Sequence, residues 1–233
     1  ARLQYQGKLN LVPMYGDNLV NKNHEYTQAD NEFIAFYDNK YSNRKIASEE
    51  LILWGLDFFY NGQLQTAMKR FNQAWLIDTV NPGIYFGYWL VQSVLTQGNL
   101  KDEVYGLKGA ELDKLNDLNS FFKKGKSLDE NNKYEKYALT YGCSSFSSYG
   151  ISKEGIKACE ALLGFDQYDT LTLRNLASTY SDMENWEKAI FFYSKNLDYS
   201  KNKSLVYNDI AWNYQKKEVP DSASKYYIMA IES

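Results

Sequence analysis

Residues 170–203 read TLTLRNLASTYSDMENWEKAIFFYSKNLDYSKNK, and this stretch decides the fold. Leu173, Leu176, Ala177 and Tyr180 fall at helical spacing in its first half. Trp186, Ala189, Ile190 and Tyr193 do so in its second half. The small residues recur beyond the stretch at a fixed interval. Cys143, Ala177 and Ala211 stand 34 residues apart, and Gly155, Ala189 and Ala223 keep the same spacing. Antiparallel helices approach closely where each presents a small residue, and large side chains such as Tyr180 and Tyr193 fill the gaps alongside. A single helix pair cannot bury both its faces, so each unit needs a neighbour. The period therefore predicts an all-α solenoid of about five antiparallel helix pairs wound as a right-handed superhelix.

The register extends outward in both directions. The last unit, 204–233, carries Tyr207, Ile210, Ala211 and Tyr214, then Ala223, Tyr227 and Ala230. The unit at 136–169 has the same layout. An earlier unit, 48–81, reads Leu51, Trp54, Gly55 and Phe58, with Asn61-Gly62 as the interhelix turn, then Ala67, Phe71 and Ala74. Gly55 and Cys143 are 88 residues apart, two periods and 20 residues. The unit at 82–135 therefore carries an insertion. Its first helix is predicted over 83–97, between Pro82 and Gly98. Leu100, Val104, Leu107, Leu115, Leu118 and Phe122 predict a long second helix over 101–126, broken near Gly106 or Gly109.

Residues 1–47 differ from the repeats. They read as an irregular segment to Asn23, followed by one capping helix. Thr27 with Asp30 looks like an N-cap and an acidic first turn, and Phe33, Ile34, Phe36 and Tyr37 form an apolar face that covers the open end of the array.

Composition narrows the function. The 233-residue chain has 26 basic and 29 acidic residues, a net charge of −3. Its densest basic cluster is Lys123, Lys124 and Lys126, which argues against a nucleic-acid partner. No apolar run is long enough to span a membrane. The sequence starts at Ala1 without Met, which is expected of a processed, exported product. Cys143 and Cys159 fall on the facing helices of one unit. Export would permit a disulfide between them, and the other reading is two small core thiols. His24 is the sole histidine, so neither a Ser-His-Asp arrangement nor a metal site can be assembled. The sequence implies no cofactor, no metal, no catalytic residue and no enzyme activity. Glu49-Glu50 and Asp129-Glu130 read as solvated helix starts.

The repeating units resemble the tetratricopeptide repeat over about 48–233. The residues that carry this are Gly55, Phe58, Gly62, Ala67, Phe71 and Ala74, then Ala177, Tyr180, Ala189 and Tyr193, then Ala211, Tyr214, Ala223, Tyr227 and Ala230. The run Thr66–Leu76 and the stretch Val12–Gly16 are similar to small exported bacterial members of unassigned function. That resemblance implies a bacterial protein of the periplasm or outer envelope, with a lipid anchor on a removed N-terminal segment. Three departures stand out: Thr79 where a closing Pro is usual, Gly155 in place of Ala, and Asn196 in place of a small residue.

Such solenoids bind along the face lined by the first helix of each pair. By register, the first unit contributes Ile52, Leu56, Phe59 and Tyr60. The second contributes Tyr85, Tyr88, Gln92 and Leu95. Tyr137, Thr140, Ser144 and Ser148 come next, then Arg174, Ser178 and Asp182, and finally Asn208, Trp212 and Gln215. The expected groove is aromatic at its start and polar toward Arg174, suited to a protein segment with an apolar anchor. In one alternative, residues 1–47 fill that groove and its aromatics are core. In another, the aromatics with Asn, Gln and Ser hold a carbohydrate or other small ligand. The last helix, with Tyr226, Tyr227, Ile228 and Ile231, is the expected place for pairing with another copy, as a homodimer, or with a partner.

Overall fold

A computed structural model describes Pro13, residues 24–98 and residues 118–233. The described residues form eleven helices joined by turns, with no strand among them. The chain divides into two compact units, Ala1–Ala138 and Leu139–Ser233.

The first unit holds α1 (His24–Lys40), α2 (Arg44–Tyr60), α3 (Leu64–Ile77), α4 (Pro82–Gln97), α5 (Leu118–Leu128) and the start of α6 (Lys133–Ser145). The side chain of Asn43 caps α2 by accepting from the Lys45 amide. Asn81 caps α4 by accepting from Gly83, with Pro82 in the first turn. The α2–α3 turn places Gly62 at φ 77°. Gln63 N–H donates to Phe58 O at 2.8 Å, and Gly62 N–H to Phe59 O at 3.1 Å. These two bonds close the helix end and need a left-handed residue between helices. Asn61, the other half of the turn, stays at φ −83°.

The core of this unit is the Phe71 ring, fully buried on α3. A Cβ on Gly55 would lie 2.5 Å from it, and one on Gly87 2.4 Å. So α2 and α4 both close on α3 where they lack a side chain. Helix α4 matches the predicted 83–97 closely and is buried almost all round, as an apolar helix should be. Its other neighbour is α5, joined edge-to-face through Phe86–Phe122 at 5.2 Å and Tyr88–Phe121 at 5.6 Å. Helix α5 is the end of the predicted 101–126 segment; residues 99–117, with Gly106 and Gly109, lie outside the described residues. The predicted irregular segment before His24 also lies outside them, except for buried Pro13.

Helix α1 begins at His24, so Thr27 sits within its first turn instead of capping it. Tyr37 is buried and Phe33 half-buried, with rings 4.7 Å apart, whereas Phe36 is exposed. Tyr37 lies one turn after Phe33 on the buried side, and Phe36 is rotated about 100° from Tyr37 toward solvent.

The second unit holds the end of α6, then α7 (Ser152–Leu163), α8 (Thr170–Asp182), α9 (Trp186–Leu197), α10 (Lys203–Lys216) and α11 (Pro220–Glu232). Each helix packs on its neighbour, α7 on α8, α8 on α9, α9 on α10 and α10 on α11. The hairpin turn recurs in register. Gly150, Glu184 and Glu218 stand 34 apart at φ 76°, 57° and 62°. Each is bracketed by the same two bonds as Gly62: Ile151 to Phe146, Asn185 to Tyr180 and Val219 to Tyr214 close the outer one at 3.0, 2.9 and 3.0 Å. A second link also recurs, 26 residues apart. Ser204 Oγ donates to Ala230 O at 2.6 Å, Asn196 Nδ2 to Thr170 O, and in the first unit Ser48 Oγ to Ala74 O at 3.4 Å. Asn196 is thus a buried crosslink that fastens α9 to the first turn of α8.

All the register residues are buried: Cys143, Ala177 and Ala211 on the first helices, Gly155, Ala189 and Ala223 on the second. Cys143 and Cys159 are bonded, with their Cα atoms 4.7 Å apart.

Candidate functional site

Helices α8 and α10 are the first members of successive hairpins, and they present the accessible part of the expected groove. Arg174 and Ser178 share one face of α8, four residues apart, and Asn208 and Trp212 share one face of α10. Arg174 Nε donates to Asp209 Oδ2 at 3.1 Å, and Ser181 Oγ to Asn213 Oδ1 at 2.8 Å, which fixes the two helices side by side. Asn213 Nδ2 donates back to Asp209 O at 2.8 Å. Burial raises the Asp209 carboxyl above its ordinary value, and the Arg174 guanidinium opposes this. Beneath them the Tyr193 hydroxyl is pushed up to about 12, first by burial and then by the Asp209 charge, with a hydrogen bond to Ser178 working the other way. The Arg174 charge is therefore answered within the face, which leaves its remaining N–H groups as oriented donors rather than a free cation.

Trp212 keeps 42% of its surface exposed. It packs edge-to-face with Trp186, centroids 5.9 Å apart, and Lys216 Nζ lies 5.3 Å over its ring. The ring is thus held from two sides and presents an amphipathic surface of fixed orientation. Asn208, Ser178 and Gln215 are exposed as well.

The first unit is different. Phe59, Tyr85, Tyr88 and Gln92 are all buried, as are Ile52, Leu56 and Leu95. The expectation that they line an open groove is corrected: α4 is enclosed by α2, α3 and α5, and these side chains are core. Gln92 is completely buried, and neither of its amide atoms has a hydrogen-bond partner among the described residues. Tyr60 and Tyr137 remain exposed in this unit.

Sequence reasoning missed Asp209, which sits 35 residues after Arg174 and carries the opposite charge. That pairing, one residue off the repeat period, was the signal available. Among the described residues no three His, Cys, Asp or Glu side chains gather as a metal site, and no helix is long and apolar enough to cross a membrane.

No family model matches the chain, and none of the curated proteins matches it. Solved structures do. The crystal structure of MamA protein aligns with a TM-score of 0.53 at 18% identity, covering 82% of this chain and 92% of that one. MamA AMB-1 in two crystal forms aligns with a TM-score of 0.48 at 12% identity, covering 78% and 80% of this chain and 96% and 98% of those. MamA is a tetratricopeptide-repeat protein, and the fold described above is of that type.

Proposed function

We propose that the protein is a non-enzymatic interaction module that holds a protein segment on the α8–α10 face of its second unit. The observation that carries this reading is Trp212, a large ring left exposed yet braced by Trp186 and Lys216, beside the polar groups of Arg174, Ser178 and Asn208. Braced aromatic rings flanked by oriented donors are the usual anchors of protein recognition. The Arg174–Asp209 pair offers both donors and acceptors to a peptide backbone. The tetratricopeptide-type fold supports a scaffold role of this kind. The buried Cys143–Cys159 disulfide supports an oxidising compartment, as in a bacterial periplasm or outer envelope, where such bonds persist.

A displayed peptide library, selected on the wild-type protein with its disulfide intact, tests the reading. Peptides are expected whose affinity falls at least about tenfold on Trp212→Ala and on Asn208→Ala, the loss typical of an anchor residue. Peptides that bind these variants and the wild type equally would place recognition elsewhere. Binding of a soluble oligosaccharide that alters tryptophan emission, with no peptide selected, would favour the carbohydrate alternative.

A further inference from the structure

A second surface lies away from the α8–α10 face, on the turns that join one hairpin to the next. The turn before α8 exposes Phe165 and Tyr168, and α8 opens with Leu171, 59% exposed. The turn before α10 exposes Tyr199, and α10 opens with Leu205. Phe165 and Tyr199 are 34 residues apart, and so are Leu171 and Leu205. The Tyr168 and Tyr199 ring centroids are 4.6 Å apart, so the two turns are adjacent and make one continuous patch. Repeat packing requires small residues at its seam and does not require large apolar groups at these exposed positions.

We infer that this patch pairs with the same patch on a second copy of the chain. The patch is a doublet, with an aromatic and a leucine in one repeat and the equivalent pair in the next. A two-fold axis through its middle lays Phe165 and Leu171 of one copy on Tyr199 and Leu205 of the other, and the reverse. The charges sort in the same sense. The first turn carries Asp166 and Asp169 and no base, while the second carries Lys201 and Lys203 against Asp198. The two-fold operation therefore sets the acidic turn against the basic one at both ends of the contact. Attraction of this kind fixes the register of a small apolar contact and makes it sensitive to salt. This pairing leaves Trp212 and Arg174 available, so it is independent of the binding role proposed above.

Sedimentation equilibrium over a concentration series, at low and high salt, reads the association directly. The wild type is expected to form a dimer that weakens as salt rises. Lys201→Glu/Lys203→Glu and, separately, Asp166→Lys/Gln167→Lys each set like charges face to face, and each is expected to raise the dissociation constant at least about tenfold. Mixing the two variants restores opposite charges at both ends, so the mixture is expected to recover the dimer. All four changes are at exposed positions, three in the turns and one at the first residue of α10, and far-UV circular dichroism confirms that the variants stay folded. A wild type that is monomeric at the highest attainable concentration overturns the inference. So does a dimer indifferent to these variants but abolished by Ile228→Asp/Ile231→Asp, which would move the seam to α11. Failure of the mixture to recover the dimer also overturns it.

Discussion

The two units are written in one repeat grammar and end differently. In the first unit, most of the positions that should line a binding face are core, Tyr60 and Tyr137 excepted. Leu56, Phe59, Tyr85 and Tyr88 are sealed by α4 and its neighbours, and Phe71 is gripped between Gly55 and Gly87. In the second unit, the equivalent positions on α8 and α10 carry Arg174, Ser178, Asn208 and Trp212, and these reach solvent. The difference lies in side-chain chemistry at fixed register. Apolar residues at the face positions recruit a covering layer, and polar ones leave the face open. The units also differ in how they are secured. The first relies on a ring wedged between glycines, the second on a disulfide, while the 26-residue crosslink is common to both.

The largest effect should come from the wedge. Phe71→Ala empties the ring's site between α2 and α4 and should cost about 3–5 kcal/mol in urea unfolding followed by circular dichroism. A loss below about 1 kcal/mol would mean that the first unit is not organised around that ring. Next is the staple. Cys143→Ala/Cys159→Ala opens a loop of sequence separation 16 and should cost about 2–4 kcal/mol. The same double substitution should leave the chemical protection of Phe71's surroundings unchanged, as amide exchange within α3 would show.

A smaller effect sharpens the comparison at the turns. Gly62 and Gly150 adopt φ near 77° without penalty, whereas Glu184 and Glu218 hold the equivalent positions at φ 57° and 62° with a Cβ present. Glu184→Gly should therefore stabilise the protein, by about 0.5–1 kcal/mol, measured as a raised urea midpoint. A lowered midpoint would show that the side chain of Glu184 contributes more than its backbone costs.

The smallest effect is a contrast in pH dependence. In the first unit, Glu49 accepts from Tyr134 Oη at 2.6 Å and from Lys133 Nζ at 3.2 Å. The Tyr134 bond leads in holding its carboxyl below the ordinary value of 4.5, against the effect of burial. Its contribution is present above pH 4.5 and is lost as pH falls through the lower folded value. Asp209 has the opposite sign: burial raises it from 3.8, so ionising it costs stability as pH rises through the higher folded value. Relative to wild type, Glu49→Gln should therefore lose its deficit on acidification, while Asp209→Asn should gain ground as pH rises. Urea midpoints from pH 3 to 7 would show the two trends crossing, and parallel trends would refute the assignment.

Much of the fold was legible because it rests on local period. Three small residues 34 apart located the hairpins, Pro82 and Gly98 bounded α4, and Asn61-Gly62 marked a turn. The recurrence of the left-handed turn residue at 150, 184 and 218 was hidden, because two of the three are glutamates. Thr27 failed as a cap because the residues before it continue the helix. The candidate site was half legible. Asn208 and Trp212 are exposed and Arg174 is half-buried, but the closure of the first unit depends on α5, which is distant in sequence from α2 and α3. A helical face shows its apolar stripe in the sequence and does not show whether solvent or another helix covers it.

The central claim is that one face is closed and the other open. Hydroxyl-radical footprinting of the intact protein, read residue by residue by mass spectrometry, tests this most directly. Trp212 is expected to oxidise readily while Tyr85 and Tyr88 stay protected until the protein unfolds. Oxidation of Tyr85 and Tyr88 at the rate of Trp212 in the folded protein would contradict the account.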